Sequence, residues 1–248
     1  MGRRYKNSPI IEALCEFRFE SSENWDQTIP GLIYERIRAK GFPKKRQAKA
    51  FEQIVESKSN QIHTRLAASN RIQFLREDEK TLVQVGQDLV SVNKLKPYTS
   101  WNEFLPDIRE GLGVNVDVAV PKGLKGVALR YINLVEVPGL TFDLEAYLEF
   151  RPHLGSKLPQ AIEGFITGVQ FRLEESTDLV KLELSKVPAQ KPDVSAFVLD
   201  ISCFSGQAEK VGLAKWEAWV ETAHARVEEI FEGCITDRLR EMFEARKS

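Results

Sequence analysis

The sequence is poor in the residues that most often carry recognisable chemistry. It holds three histidines and three cysteines among 248 residues. His63, His153 and His224 have no second histidine beside them, so neither H-E-x-x-H nor a comparable metal spacing exists. Cys15, Cys203 and Cys234 are widely separated with no C-x-x-C pair, which fits neither a disulfide framework nor a zinc site. Glycine-rich phosphate loops are missing too: Gly111-Leu-Gly113 and Gly123-Leu-Lys-Gly126 lack the strand–loop–helix context and the following Lys-Ser/Thr. No serine sits in a G-x-S-x-G turn. The expectation is a chain with no metal and no cofactor.

Charge of one sign is also lacking. A formal net charge of −1 gives no global attraction to nucleic acid or to an anionic membrane. No run approaches the roughly 18–20 apolar residues of a membrane span. Glu12 and Glu16 interrupt the apolar stretch after the basic N-terminus, which argues against a signal peptide, and Lys6 stands where a myristoylation motif carries Ser or Thr. The expected location is the cytoplasm, with no membrane partner.

What is present is alternation. Residues 9–20 put Ile11, Ala13, Cys15, Phe17 and Phe19 on one phase and Glu12, Glu16 and Arg18 on the other, which predicts a strand. Thr28-Ile-Pro30 opens a helix that stops at Gly41, before Pro43. Short alternating runs at 61–67, 70–76, 80–86 and 88–95 predict a meander with turns at Ser69-Asn70 and at 77–80. Ser100 with Glu103 reads as a capping box for a helix at about 101–112, closed by Gly111 and Gly113.

The order then begins again: a strand at 124–137, a helix at 142–150, strands at 161–174, 178–187 and 194–204, and one helix of about 30 residues from 214 to 245. Cys15 and Cys203 fall on apolar strand phases and read as buried thiols. The expected fold is α+β: two tandem β-α-β(3–4)-α halves, 1–122 and 123–248, in one compact unit. They form a largely antiparallel sheet covered by helices on one face, with a long C-terminal helix. That element order matches the TATA-binding-protein-like saddle and, more loosely, the helix-grip folds. Fold analogy carries no function by itself.

Four segments resemble a sporadically distributed bacterial protein family that has no assigned reaction. They are Tyr5-Lys-Asn-Ser-Pro9-Ile-Ile-Glu12-Ala13; residues 83–104 with Leu95-Lys-Pro97-Tyr98 and Trp101; Leu129-Arg130-Tyr131-Ile132-Asn133; and residues 223–243 with His224, Phe231-Glu232 and Ile235-Thr236-Asp237. The family continues the third with a basic residue, where this chain has Leu134. The resemblance implies a bacterial cytosolic protein, with defence or accessory systems as a home.

The candidate site residues are modest in chemistry. His224 precedes Glu228 by one helical turn, as a base and its orienter or as a packed histidine. Arg130 and Asn133 lie on opposite phases of their strand; Arg130 is suited to a carboxylate or phosphate, or to an ion pair with Glu12 or Asp200. His63, Arg65, Gln73, Gln84, Gln170, Arg172, Lys181, Glu183 and Asp200 fall opposite the apolar phases and line a helix-free sheet face, either solvated or binding. Seven basic residues lie between Arg36 and Lys49. Of these, Arg38, Lys44, Lys45, Arg46 and Lys49 are candidates for phosphate contacts, against a solvated helix end and loop.

The leading expectation is a non-enzymatic binding or scaffold protein that recognises a protein partner, with Arg130, Asn133, Gln170, Arg172, Lys181, Asp200 and His224 as binding residues. The alternative is a nucleic-acid-binding module using the sheet face and the 36–49 segment. The third reading is an enzyme using His224 and Arg130. Pairing of the final helix with a second copy stays open.

Overall fold

The computed structural model describes the chain except residues 1–2, 21–24, 59–60, 141–142, 161, 174–175 and 245–248. Along 50–58, 61–69 and 208–210 only the backbone is described. The chain is α+β, with a nine-stranded antiparallel sheet and, among the described residues, four α-helices. Contacts divide it into two units. Strand β1 (Ile10–Phe19) contributes its first half to one and its second half to the other.

One unit comprises residues 16–94 and 100–125. It holds α1 (Ile29–Ile37), β2 (Lys44–Lys58), β3 (Gln61–Leu75), β4 (Thr81–Gly86), β5 (Leu89–Leu95) and α2 (Trp101–Ala119). Its strands run in the order β2-β3-β4-β5-β1. Phe74, Val83 and Val92 form the face under the helices: Tyr34 of α1 stacks on Phe74, and α2 crosses Val83 and Val92 at Gly111. The opposite face carries a polar ladder. Arg46 donates to Gln73, Gln73 to Gln84, and Gln84 to Ser91 and Asn93.

Three expectations are corrected here. The segment from 44 is strand β2 rather than loop, and it pairs with β3 along all fifteen residues, Lys44 opposite Leu75 through Lys58 opposite Gln61. Such a partner holds β3 straight through Ser69-Asn70, where a turn was expected: pairing overrides local turn preference. Helix α2 runs on to Ala119, and Gly111 is interior to it. A Cβ at Gly111 would lie 2.7 Å from Val92 Cγ2 and 2.9 Å from Val83 Cγ2, so this glycine marks a close helix–sheet approach and not a helix end.

The other unit comprises residues 1–15, 95–99 and 126–248. Strands β6 (Leu124–Pro138), β7 (Ile166–Arg172), β8 (Leu179–Val187) and β9 (Val194–Phe204) run in the order β1-β6-β9-β8-β7. From Val127 onward β6 alternates: Val127, Leu129, Tyr131, Asn133, Val135 and Val137 are buried, and the residues between them are partly exposed. The buried phase packs with Cys203, Ile201, Leu199 and Phe197 of β9 and with Val180, Leu182 and Leu184 of β8. All three cysteines are free and buried.

The long helix is α3 (Ala208–Cys234), broken from non-helical backbone at Gly212 (φ +57°), where glycine is the residue that adopts a left-handed φ at little cost. It stops at Ile235, and α4 (Asp237–Met242) follows. The expected helix at 142–150 is a single 3-10 turn at Leu144–Ala146, capped by Asp143. One contact explains both differences. Leu148 bridges Ile235, Glu149 N–H donates to Cys234 O, and Thr236 N–H donates to Tyr147 O, so each segment takes the backbone groups that would have continued a helix in the other.

Candidate functional site

Residues of the second unit's sheet sort by phase into two faces. The face away from α3 carries three cross-strand rows. Arg130, Ser202, Lys181 and Gln170 form the first; Ile132, Asp200, Glu183 and Gly168 the second; Leu134, Val198, Ser185 and Ile166 the third. Four of the expected binding residues, Arg130, Asp200, Lys181 and Gln170, therefore lie together, with Arg172 one step along β7.

The charges in these rows are paired. Arg130 Nε donates to both Asp200 oxygens at 2.8 and 3.0 Å, and Nη2 bonds the same carboxylate. The hydrogen bonds to Asp200 raise the Arg130 pKa, aided by the charges of Glu12 and Glu183. Lys181 meets Glu183 at 3.1 Å, and Glu136 meets Lys191 at 2.7 Å. Arg172 donates to Thr177 O. Beside the pairs lies an apolar strip of half-buried Ile132, Leu134 and Val198, with exposed Ile166 beyond Ser185 in the same row. Sequence reasoning had grouped the polar residues and set Ile132 and Leu134 on the same phase as Arg130, without joining them to Val198 and Ile166. The strip's signal is visible in the alternation of 124–137, where Ile132 and Leu134 occupy the phase that also carries Arg130 and Glu136.

Asn133 and His224 lie on the opposite, core phase. Asn133 is buried and donates to Leu199 O at 3.1 Å, so it serves the sheet interior. Tyr131 is also buried; its hydroxyl lies 3.0 Å from that of Tyr98 and 3.2 Å from His224 Nδ1. His224 Nε2 faces Glu228 at 3.4 Å. Burial lowers the His224 pKa to about 4 and raises the Tyr131 pKa well above its ordinary value. A neutral imidazole fits both contacts, with Nδ1 accepting from Tyr131 and Nε2–H directed at Glu228. The His224 side chain is 12% exposed, an environment suited to clamping α3 onto β6.

Signature residues of the four resembling segments converge in this unit. Tyr98, Tyr131 and His224 come from the second, third and fourth. Tyr5, from the first, donates to Glu232 at 2.6 Å and packs edge-on against Phe231 and Phe243 of the fourth. Lys6 and Asn7 add backbone bonds to Glu244 and Phe243.

The basic segment, in the other unit, is divided. Arg38 pairs with Glu35, Lys44 with Glu77 and Glu79, and Arg46 donates to Gln73. Lys45 covers the Tyr34 ring at 4.2 Å, on the face opposite Lys44 and Arg46. Lys49 is exposed. The side chains of His63 and Arg65 lie outside the described residues. Among the described residues no cluster of three or more His, Cys, Asp or Glu is placed to hold a metal, and no helix is long and apolar enough to cross a membrane. Compared with known proteins, the chain matches no family and no curated sequence.

Proposed function

We propose that this is a non-enzymatic binding or scaffold protein whose partner is another protein, met on the β6-β9-β8-β7 face. The observation that carries the reading is the strip of Ile132, Leu134 and Val198, with Ile166 beyond Ser185, beside the ion pairs Arg130–Asp200 and Lys181–Glu183. Apolar contact area with a polar margin is the anatomy of a protein interface. A phosphate track needs uncompensated cations; here Arg130 and Lys181 each have an acid beside them and Arg172 bonds a backbone carbonyl, which favours a mixed-charge protein surface. A photo-crosslinking residue at Leu134, in the cell of origin, is expected to yield a protein adduct that Val198→Asp abolishes. A nucleic-acid adduct, or no adduct, would reject the reading.

A nucleic-acid-binding role is the second reading, favoured by exposed Lys45, Arg46 and Lys49 on β2. It requires retention on nucleic acid at low salt that weakens as salt rises.

We also read the chain as two tandem halves of a TATA-binding-protein-like saddle, with the helix that follows the first strand of the second half reduced to the 3-10 turn Leu144–Ala146. Supporting this, the last meander strand returns beside the first in each half, β5 beside β1 and β9 beside β6. From the family resemblance alone we infer a bacterial, cytosolic protein working in a defence or accessory system.

A further inference from the structure

Strand β7 is the last strand of its sheet, and six of its seven residues are exposed. Among them are Ile166 at 77%, Val169 at 46% and Phe171 at 38%. Among the described residues, the backbone of 167–172 bonds only within the ladder to β8. An open edge of this kind presents a row of backbone donors and acceptors to any strand that arrives.

Edge strands are commonly protected by lysine, proline, bulges or coverage. β2, the edge strand of the other unit, carries Lys44, Lys45, Arg46 and Lys49 in its first six residues. β7 reads Ile-Thr-Gly-Val-Gln-Phe-Arg, with one charge, at its end, and no proline.

We propose that β7 pairs antiparallel with β7 of a second copy of this chain, about a two-fold axis at Val169. This goes beyond the protein-partner reading above and does not depend on it. Centring on Val169 is the register that uses the whole strand. It sets Val169 against Val169 of the second copy, Thr167 against Phe171, Gly168 against Gln170 and Ile166 against Arg172. No like charges meet, and an aromatic faces a β-branched residue, a favourable cross-strand pair.

The rows beyond the edge agree. Lys181 lies opposite Gln170, and Glu183 opposite Gly168. Pairing Gln170 with Gly168 of the second copy thus extends the Lys181 row into the second copy's Glu183 row, base toward acid. Gly168 is explained as well. A Cβ there would meet its nearest atom, Leu182 O, at 3.4 Å, an ordinary contact, so the fold of one chain does not demand glycine. Glycine within a strand marks a close approach by another group, here Gln170 of the second copy.

A seven-residue strand pair is small beside a standard interface, so the dimer forms and dissociates with concentration in the micromolar range. Analytical ultracentrifugation across that range is expected to show the mass rising from 28.2 kDa toward twice that value. Val169→Lys and Val169→Asp are each expected to stay monomeric at every concentration, since each places like charges opposite one another. An equimolar mixture of the two is expected to recover the dimer. Under mild oxidation Val169→Cys is expected to give a covalent dimer and Gln170→Cys none, the three native cysteines being buried; this arm needs neither charge variant to fold. A wild type that stays monomeric, a dimer untouched by both charge variants, or cross-linking by Gln170→Cys and not Val169→Cys would each overturn the proposal.

Discussion

The Tyr131 hydroxyl and His224 Nδ1 lie 3.2 Å apart, with the two rings stacked at 27° and 5.9 Å. The bond joins the buried phase of β6 to α3, and a neutral imidazole that accepts at Nδ1 satisfies it. Burial lowers the His224 pKa from 6.5 to about 4, so between those values the unfolded chain binds a proton that the folded chain does not. Stability is therefore complete above about pH 6.5 and falls as pH drops toward 4. The Glu228 carboxylate would favour the protonated ring and offsets part of this, leaving roughly 2 kcal/mol in that window. Urea midpoints at neutral pH and near pH 4.5 are expected to differ more for the wild type than for His224→Gln. Equal pH dependence would remove His224 as the titrating group.

Gly111 tests how closely α2 meets the sheet. In an exposed helix interior, alanine stabilises relative to glycine by about 1 kcal/mol. Here the added methyl would press on Val83 and Val92, both buried. Overpacking of this kind costs typically 1–3 kcal/mol, so Gly111→Ala is expected to lower stability, reversing the usual sign. Combining it with Val92→Ala, which makes room for the methyl, is expected to cost less than the sum of the two single changes. Additive losses in urea unfolding would show that the methyl and Val92 do not compete for space.

Most strands were legible because one face of each is buried and the other is not. The expected strand at 194–204 coincides with β9, and 124–137 falls one residue short of β6. The phase of Arg130, Asp200, Lys181 and Gln170 followed from the same alternation. β2 was illegible: Lys-Lys-Arg-Gln-Ala-Lys has no apolar phase, because an edge strand paired on one side can remain polar on both faces. The breaks at 144–148 and at Ile235 depend on each other across about ninety residues, which no local pattern records. The meeting of Tyr98, Tyr131 and His224 was hidden for the same reason.

The Arg130–Asp200 pair has an expected energetic signature. Its partners are unequally shielded, with the arginine side chain 42% exposed and the aspartate 16%. Arg130→Met leaves Asp200 partly buried beside Glu183, at an expected cost of about 1–3 kcal/mol. Asp200→Leu leaves the more exposed arginine solvated and is expected to cost less. The double variant adds two apolar side chains to the Ile132–Leu134–Val198 strip and is expected to fall near wild type. A double-mutant cycle in urea reads the coupling directly; single losses that simply add would mean that the pair contributes only through its separate side chains.

Thr236 accounts for the Ile-Thr-Asp element in the C-terminal segment. Its hydroxyl accepts from Leu239 N–H as the N-cap of α4 and donates to Ala146 O at 2.8 Å, while its own N–H donates to Tyr147 O. Asp237 follows at the first helical position, where a negative charge favours the helix N-terminus. The residue both starts α4 and fastens the 144–148 turn to the end of α3. Thr236→Ala removes both hydroxyl bonds while keeping the backbone bond, with an expected loss of about 1–2 kcal/mol. Thr236→Ser retains the hydroxyl and is expected to recover most of that loss, whereas Thr236→Val keeps the branched shape and is expected not to. Serine behaving like alanine, with valine near wild type, would assign the position to packing. Hydrogen exchange adds a local readout: Leu239 N–H should lose protection in the alanine and valine variants and keep it in the serine variant.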